Sequence, residues 1–305
     1  MIRKFEDKKE LYDYLYPSIF TRYKIRLHNF LTMFSDSTFG LIGLYIVLFF
    51  IVLATFAPYL APYDPWKSDL ENRSQGPSVL HPLGTDIIGR DILSQIIYGS
   101  QLSLLIGIFA AFISVVVGTL IGLIAGYYTG WIDTVLMRST DFFIQLPLLP
   151  LMLILAAFIG SGTLNLILII GLLGWTGTAR MVRSETLSLK ERAFVESTRS
   201  IGATDRYILF FHILPNVFPL VFANMILSIV DAIISEAGLS FLGFGVPDAW
   251  SWGKVLHQAT KEAALLSGAW WHWFVPGICI MFLALGFALI SFGLNEILNP
   301  RLRRR

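Results

Sequence analysis

Six apolar runs dominate the sequence, and each is long enough, or nearly so, to cross a lipid bilayer. A spanning helix needs roughly 20 mostly apolar residues, because it must match the thickness of the hydrocarbon core. The runs do not alternate apolar and polar residues, as the strands of a membrane barrel would. We therefore predict an all-α membrane protein with six transmembrane helices. The runs cover residues 39–60, 102–128, 146–160, 164–182, 216–235 and 273–294.

The composition also indicates a membrane protein. Hydrophobic residues make up 55% of the 305-residue chain, charged residues make up 14%, and the mean hydropathy is +0.67. These values exceed what the core of a soluble protein requires. The third run is the least regular of the six, because Pro147 and Pro150 interrupt it.

The Lys and Arg residues indicate the orientation, because such residues are retained on the cytoplasmic side of a membrane. With the N-terminus inside, 18 of them fall on the cytoplasmic side and five outside. We therefore predict a plasma-membrane protein with both termini in the cytoplasm. It comprises a cytoplasmic segment 1–36, a six-helix domain 37–299 with external loops near 61–101 and 236–272, and a basic tail 300–305. The five outer residues are Lys67, Arg73, Arg90, Lys254 and Lys261.

A charged stretch near residues 185–215 separates the fourth and fifth runs and lies on the predicted cytoplasmic side. Its "SLKE" sequence, which begins at Ser188, fits a capping box and predicts the start of a helix. Gly202 suits the left-handed position that ends a helix. Thr204 can cap a second helix, and Pro215 should break the chain before the fifth span.

The first helix of this stretch is predicted to be modestly amphipathic. Leu189, Ala193, Phe194 and Ile201 fall within roughly 140° of arc at helical spacing, with charged residues on the other side. Periodicity alone favours an ordinary solvated loop with some helix.

The order of residues in the stretch resembles the EAA loop of ABC importer permeases. That pattern is Glu, two small residues, three others, Gly, nine others and Ile-x-Leu-Pro; here "ESTRSIG" begins at Glu196 and "HILP" ends at Pro215. Ser and Thr replace the two alanines of the pattern, and His replaces its Ile. The resemblance implies a coupling helix that docks in a cleft of an ATPase subunit, with Glu196 paired to a basic group and Gly202 permitting the turn. The implied coupling residues are Glu196, Ser197, Thr198, Gly202, Ala203, Thr204, Leu214 and Pro215.

Further motifs, found in order along the chain, are similar to those of the C-type permease of dipeptide and oligopeptide importers. This resemblance implies the type I ABC importer permease fold with a cytoplasmic coupling helix. The motifs are "FAPYLAPYDP" (56–65), "HPLGTDIIGRD" (81–91), "GLLGWTGTARMVRSETLSLKERAFVE" (171–196), "EAGLSFLGFG" (236–245), "SWGKVL" (251–256) and the ending "NPRL".

The same resemblance implies the partners of such a chain. They are a second, B-type permease, two ABC ATPase subunits that bind ATP and Mg²⁺, and an extracytoplasmic peptide-binding protein, in addition to the lipid bilayer. Importers of this kind carry di- or oligopeptides, nickel chelates or sugars. A di- or oligopeptide is the expected substrate.

The sequence lacks the motifs that ATP hydrolysis, metal binding or nucleic-acid binding would require. The nearest approach to a phosphate-binding loop, at residues 248–255, lacks the first Gly and ends in Val, so we expect no ATP hydrolysis, no enzymatic activity and no cofactor of this chain's own. The five histidines are scattered without metal-ligand spacing. The basic residues are spread over separate segments, so we expect no nucleic-acid partner.

Asp231 is the main ionisable residue within a predicted span, where such residues are costly and often functional. It could line the translocation path and meet a substrate amine, or it could have a structural role, paired with a neighbouring helix or placed near the outer interface of the membrane. Gly118, Gly122 and Gly126 share one face of the second span and predict close helix packing, with a hinge as the alternative.

The predicted outer segments contain charged and aromatic residues that we interpret mainly as structural. Asp86 and Arg90 are four apart and suit an ion pair at a helix start. A group of tryptophans is predicted to form an aromatic belt at the membrane surface, part of which could receive a binding protein. They are Trp250, Trp252, Trp270, Trp271 and Trp273.

Two other classes of function remain as alternatives. A secondary transporter would act without ATPase partners, but no inverted repeat is evident in the six runs. An intramembrane serine protease would need a Ser and a His on neighbouring spans, for which Ser161 and His272 are the candidates.

Overall fold

The computed structural model describes residues 32, 34–35, 37–262, 264 and 268–298. Apart from residues 32, 34 and 35, the predicted N-terminal segment 1–36 lies outside the described residues, and so does the whole of the predicted tail 300–305. Within the described part, the architecture is helical, and strand-like pairing is limited to one isolated bridge between Thr85 and Asp91. The helices are α1 (Thr38–Thr55), α2 (Ala57–Leu60), α3 (Ile92–Tyr128), α4 (Gly130–Gln145), α5 (Leu148–Ile159), α6 (Thr163–Leu173), α7 (Thr176–Lys190), α8 (Ala193–Ser200), α9 (Asp205–Phe244), α10 (Trp252–Lys261) and α11 (Trp270–Leu298).

The helices confirm an all-α membrane protein. Four of them, α1, α3, α9 and α11, are long and apolar enough to cross a membrane alone. Two bent pairs, α4 with α5 and α6 with α7, raise the number of spans among the described residues to six if each pair counts as one. The bends measure 88° and 42° respectively.

The sharper bend follows from a proline. Leu146 precedes Pro147 and is extended, with ψ at 135°, because the ring of a following proline disfavours helical backbone. The apolar helix α5 therefore begins at Leu148 and is only 12 residues long. The short, proline-interrupted third run is thus one arm of a bent pair rather than a straight helix.

The predicted break at Pro215 is wrong. Helix α9 continues through Pro215 without a break, and its α-helical part starts at Leu214 after a π-helical turn at Ile208–Ile213. Pro215 therefore lies in the first α-helical turn, where its missing N–H is not required. At its other end the α-helical part of α9 runs to Leu239, beyond the predicted limit of the fifth span at Ser235, and a kinked turn with Gly243 at φ 97° follows to Phe244.

The three glycines of α3 pack directly against the backbone of α7, which confirms the packing prediction. A Cβ atom on Gly118 would lie 2.6 Å from the Trp175 carbonyl oxygen, and one on Gly122 would lie 2.5 Å from that of Ala179. A Cβ atom on Gly126 would lie 2.8 Å from the carbonyl oxygen of Arg183. Larger side chains cannot fit along this seam, so glycine permits the close approach of the two helices.

The aromatic-belt prediction is wrong for two of the five tryptophans. Trp252 is 0% exposed and donates from Nε1 to the Ile96 carbonyl oxygen at 2.9 Å, while Trp250 is also buried. The start of α3 thus supplies a partner for the Trp252 ring nitrogen, while the Trp250 ring lies against the Arg90 and Lys254 cations. Trp270, by contrast, is 55% exposed.

Candidate functional site

The predicted coupling residues begin in an exposed segment, residues 191–207, which runs from the end of α7 through α8 into the first turn of α9. The predicted capping box does not start a helix here, because Ser188 lies inside α7, which continues to Lys190. Thr186 and Leu189 are buried, so tertiary packing of α7 carries the helix through the "SLKE" sequence. The chain turns instead at Arg192, which is extended, and α8 follows from Ala193.

Helix α8 is anchored by a different residue from those predicted. Val195 is fully buried in an apolar cluster with Ile208 and Ile213 of α9. Of the predicted apolar arc, Leu189 is buried, but Phe194 is 39% exposed and Ile201 is 84% exposed, so only part of the arc packs on this chain. The prediction was wrong because it projected residues of two helices, α7 and α8, onto one.

The predicted turn after α8 is confirmed. Gly202 has φ at 85°, and its N–H donates to the Arg199 carbonyl oxygen at 3.0 Å. A Cβ atom on Gly202 would meet nothing within 4 Å, so the constraint on this position is conformational rather than steric. The Thr204 hydroxyl caps the next turn by accepting from the Tyr207 N–H at 3.4 Å.

Tyr127, near the end of α3, fastens the exposed segment to the membrane helices. Its hydroxyl donates to the Asp205 carboxylate at 2.6 Å and accepts from the Arg199 guanidinium at 3.5 Å. The latter bond raises the pKa of Arg199 above its usual range. Lys190 also lies over the Tyr127 ring, 5.6 Å from its centroid. Sequence reasoning missed Tyr127, since these contacts join residues more than 60 positions apart.

The predicted coupling residues are therefore only partly brought together. Residues 196–204 form one surface, on which Glu196 and Ser197 are exposed and Thr198 donates back to the Phe194 carbonyl oxygen at 2.7 Å. Leu214 and Pro215 lie further along, in α9, and Leu214 packs against the apolar cluster that anchors α8. Asp231 is in the same helix, about 24 Å beyond Pro215 at 1.5 Å per residue, and belongs to a separate site.

Asp231 lines a cavity of about 390 Å³ between α3, α5, α6 and α9. Within the described residues, its carboxylate has no hydrogen bond and no ion pair, so the predicted alternative of a neighbouring partner helix is not observed. Other polar side chains of the lining are Ser114, Ser228 and Ser235.

A polar cluster lies at the opposite end of α3 from the exposed segment. It contains the predicted pair, in which Arg90 Nε lies 2.6 Å from Asp86 Oδ2, although the pair is in the loop before α3 rather than at a helix start. Gln95 also donates to Asp86, at 3.0 Å, and Arg90 donates to Gln258, at 3.1 Å. Burial, reinforced by the Asp86 charge, raises the pKa of Glu262 to about 7.

The protease alternative finds no geometric support in the described residues. His272 is buried, and its Nδ1 atom lies 3.5 Å from the Glu262 carboxylate. Ser161 lies between α5 and α6, and no hydrogen bond joins it to His272. No group of three or more metal-ligating side chains occurs in this part of the chain either.

Comparisons with known proteins agree on one family. Residues 118–304 match the model of the binding-protein-dependent transport system inner membrane component, and residues 26–77 match the N-terminal transmembrane domain of oligopeptide transport permease C.

The curated relatives and a solved structure agree with these matches. The chain is 39% identical over 279 residues to the glutathione transport system permease protein GsiD of Escherichia coli, covering 90% of this chain and 91% of that one. It is 38% identical over 264 residues to the protein of the same name from Pectobacterium atrosepticum, covering 86% of each. A chain of the inward-facing MetNI methionine ABC transporter shares the fold, with a TM-score of 0.51, 18% identity and coverage of 70% of this chain and 98% of that one.

Proposed function

Because the chain belongs to the family of binding-protein-dependent transport system inner membrane components, we propose that its exposed segment couples the membrane helices of a peptide importer to separate ATPase subunits. The chain is a multi-pass, non-catalytic permease subunit of an ABC importer in the inner membrane. The finer parts of the proposal concern the coupling residues, the partners and the substrate.

The proposed coupling role rests on one observation. Helix α8 presents its charged face outward, while its buried side and the residues next to it contact two long membrane helices, α3 and α9. Glu196 is exposed and has no side-chain partner within the described residues. Val195 anchors the same helix against α9, and Tyr127 of α3 holds Asp205 and Arg199. A force applied to the exposed face therefore reaches α3 and α9 through buried and hydrogen-bonded contacts.

The exposed face also has the composition of a docking surface. Phe194 and Ile201 present apolar area beside the Glu196 carboxylate, and protein interfaces commonly combine an apolar centre with charged groups at the rim. In the proposal, Glu196 and its neighbours contact an ATPase subunit, with the carboxylate facing a basic group. The remaining partners are a second, B-type permease, a second ATPase subunit and an extracytoplasmic peptide-binding protein, and both termini lie in the cytoplasm.

The proposed substrate is a short peptide. Two relatives at 38–39% identity bear the name of a glutathione permease, and glutathione is a tripeptide. The match of the N-terminal region to oligopeptide transport permease C points to the same class of solute. Selection among peptides is assigned to the binding protein.

The test uses two glycines with the same backbone constraint. Gly202 and Gly130 both have positive φ, at 85° and 60°, and a Cβ atom on either would meet nothing within 4 Å. We expect Gly202→Trp to release the ATPase subunits when the complex is purified in mild detergent, because the bulky ring blocks the docked face. Gly130→Trp, outside the exposed segment, should retain them.

Retention of the ATPases by Gly202→Trp, or their equal loss from both variants, would contradict the coupling role. Uptake of a radiolabelled tripeptide into proteoliposomes should require ATP and all partner chains. Uptake by this chain alone without ATP would instead establish the secondary-transporter alternative.

A further inference from the structure

The cavity that contains Asp231 lies beside the middle of α3 and is partly open, since lining residues such as Leu148 and Ile234 are exposed. It is bounded on one side by Ala110 and Ala111, which are close to the midpoint of the 37-residue helix α3. The bend between α4 and α5 closes a second side through Phe143 and Leu148. Since α3 is a candidate membrane span, the cavity is at the depth of the hydrocarbon core.

The cavity contains an acidic side chain without a partner among the described residues. Two arginines of α7 also lie in a candidate span, but each is neutralised by α4: Arg180 lies 2.5 Å from Asp141, and Arg183 lies 2.5 Å from Asp133. Asp231 has no such counter-charge among the described residues. A carboxylate within a membrane is costly unless it is paired or lines a polar cavity, so this site is incomplete without a cation or water.

The cavity has the size and lining of a small-molecule site. Its volume of about 390 Å³ falls within the range of roughly 300–1,000 Å³ that is typical of ligand pockets. Asp231 is exposed to it, while the next residues of α9, Ala232 and Ile233, are buried. The Ser228 hydroxyl donates to the Asn224 carbonyl oxygen at 3.2 Å, which leaves its oxygen free to accept.

The apolar part of the lining adds a second element of recognition. Met152 and Ile170 are buried residues that contribute apolar area to the lining. A ligand with a cationic group and a short apolar body would match both parts, because the cation meets the carboxylate while the body displaces water from the apolar wall. A protonated amine on a short peptide has this chemistry.

We propose that this cavity is a transient binding site for the protonated amino group of the peptide in transit, with Asp231 as its counter-charge and Ser228 as an additional acceptor. The inference rests on the proposed function, because it assigns a ligand group to the pathway of a peptide importer. Asp231 is thus a specificity-determining residue that favours solutes with a free amine.

The first test is chemical cross-linking in the complete transporter, reconstituted in nanodiscs. A hydrophobic carbodiimide activates carboxylates and joins them to a primary amine in contact, forming an amide. With a labelled free-amine tripeptide, we expect peptide attached to Asp231, identified by mass spectrometry. The N-acetylated tripeptide and the Asp231→Asn variant should give no adduct at this position.

Two outcomes would overturn the inference. One is modification of Asp231 by the carbodiimide itself without any peptide adduct, since the carboxylate would then be reachable but not in contact with the amine. The other is a carboxylate that reacts with neither reagent nor peptide during turnover, since the cavity would then be closed to solutes.

The second test measures ATP-driven uptake of the free-amine tripeptide into proteoliposomes. We expect Asp231→Asn to lower the uptake rate at least tenfold and Asp231→Glu to retain most of it, because only the latter keeps the charge. The matched control is Glu71→Gln, which removes an exposed carboxylate outside the cavity and should leave uptake unchanged.

This design separates the two proposals. If the wild-type complex lacks ATPase subunits or transports without ATP, the proposed function fails whatever Asp231 does. If ATP-driven uptake is normal in Asp231→Asn, the amine site alone is wrong. Co-purified ATPase subunits should be equally abundant in the wild type and in Asp231→Asn, which excludes a folding defect as the cause of lost uptake.

Discussion

The two ends of α3 are built in opposite ways. At the Asp91 end, several charged groups have partners within the chain: Asp91 accepts from the Ser94 N–H at 2.8 Å, and its other oxygen lies 2.9 Å from His81 Nδ1. At the Tyr128 end, the exposed segment turns Glu196 away from the chain. The first end holds most of its charged groups in contacts within the chain, whereas the second leaves the Glu196 carboxylate exposed.

Lys254 is the charged side chain at the Asp91 end with the most hydrogen bonds to backbone carbonyl oxygens. Its ammonium donates to the carbonyl oxygens of Val246, Pro247 and Ala249, which fixes the loop between α9 and α10. Burial and the nearby Arg90 charge lower the pKa of Lys254. Both cations also lie over the Trp250 ring, Arg90 at 4.9 Å and Lys254 at 5.3 Å from its centroid. Three hydrogen bonds and a ring contact thus compensate the cost of burying this ammonium.

The largest expected effect comes from breaking the Asp91 end at Trp252. Trp252→Ala should lower the free energy of unfolding by about 3–5 kcal/mol, because it leaves a cavity and removes the bond to the Ile96 carbonyl oxygen. Thermal unfolding of the purified complex measures this. Trp270→Ala, at a position that is 55% exposed, is the control and should change stability far less. An equal loss of stability in the two variants would contradict the expected difference between the buried and the exposed tryptophan.

A smaller effect is expected from pH at the same end. The raised pKa of Glu262, about 7 against 4.5 ordinarily, means that the folded state holds a proton there that the unfolded chain has already lost. This stabilisation is fully present below about pH 4.5 and is lost as the pH rises through 7. The groups that face Glu262 are Asp86, Arg90 and His272.

Glu262→Gln should remove this pH dependence. Between pH 5 and pH 8 the melting temperature of the wild type should fall by about 2–4 °C more than that of the variant. Glu71→Gln, which changes an exposed carboxylate, should behave as the wild type. Parallel curves for the wild type and Glu262→Gln would show that Glu262 is not the titrating group.

The smallest effect on stability is expected at the Tyr128 end. Glu196→Ala should change the free energy of unfolding by less than about 0.5 kcal/mol, because the side chain is exposed and has no partner in the described part of the chain. Transport-coupled ATP hydrolysis should nevertheless fall, since the carboxylate would no longer meet a basic group of the ATPase. If Glu196→Ala lost stability but hydrolysed ATP normally, the result would contradict the proposed difference between the two ends of α3.

Sequence reasoning succeeded where the relevant physics is local or repeats along the chain. The apolar runs predicted the membrane helices, Gly202 predicted a left-handed turn, and Thr204 predicted a cap, because each depends on neighbouring residues alone. The close helix packing at Gly118 and Gly122 could also be predicted, since small residues at spacing four occupy one helix face.

The errors occurred where tertiary contacts override local preference. Ser188 looks like a cap, but packing of α7 against α3 keeps the chain helical there. Trp252 looks like a membrane-surface residue, but the start of α3 offers a carbonyl oxygen and a buried niche. The contacts of Tyr127 and the cavity around Asp231 join helices that are far apart in sequence. No local pattern could therefore have predicted them.

The fastening at Tyr127 also has a mechanical consequence. Helix α3 has 37 residues and is therefore about 55 Å long at 1.5 Å per residue. A rigid rod of that length, tilted by about 5° at the Tyr128 end, moves its other end by roughly 5 Å, which is close to one helical turn. A small tilt of α3 at the Tyr127 hydroxyl, which binds Asp205, would then produce a larger displacement at the other end of the helix, near Trp252 and the polar cluster.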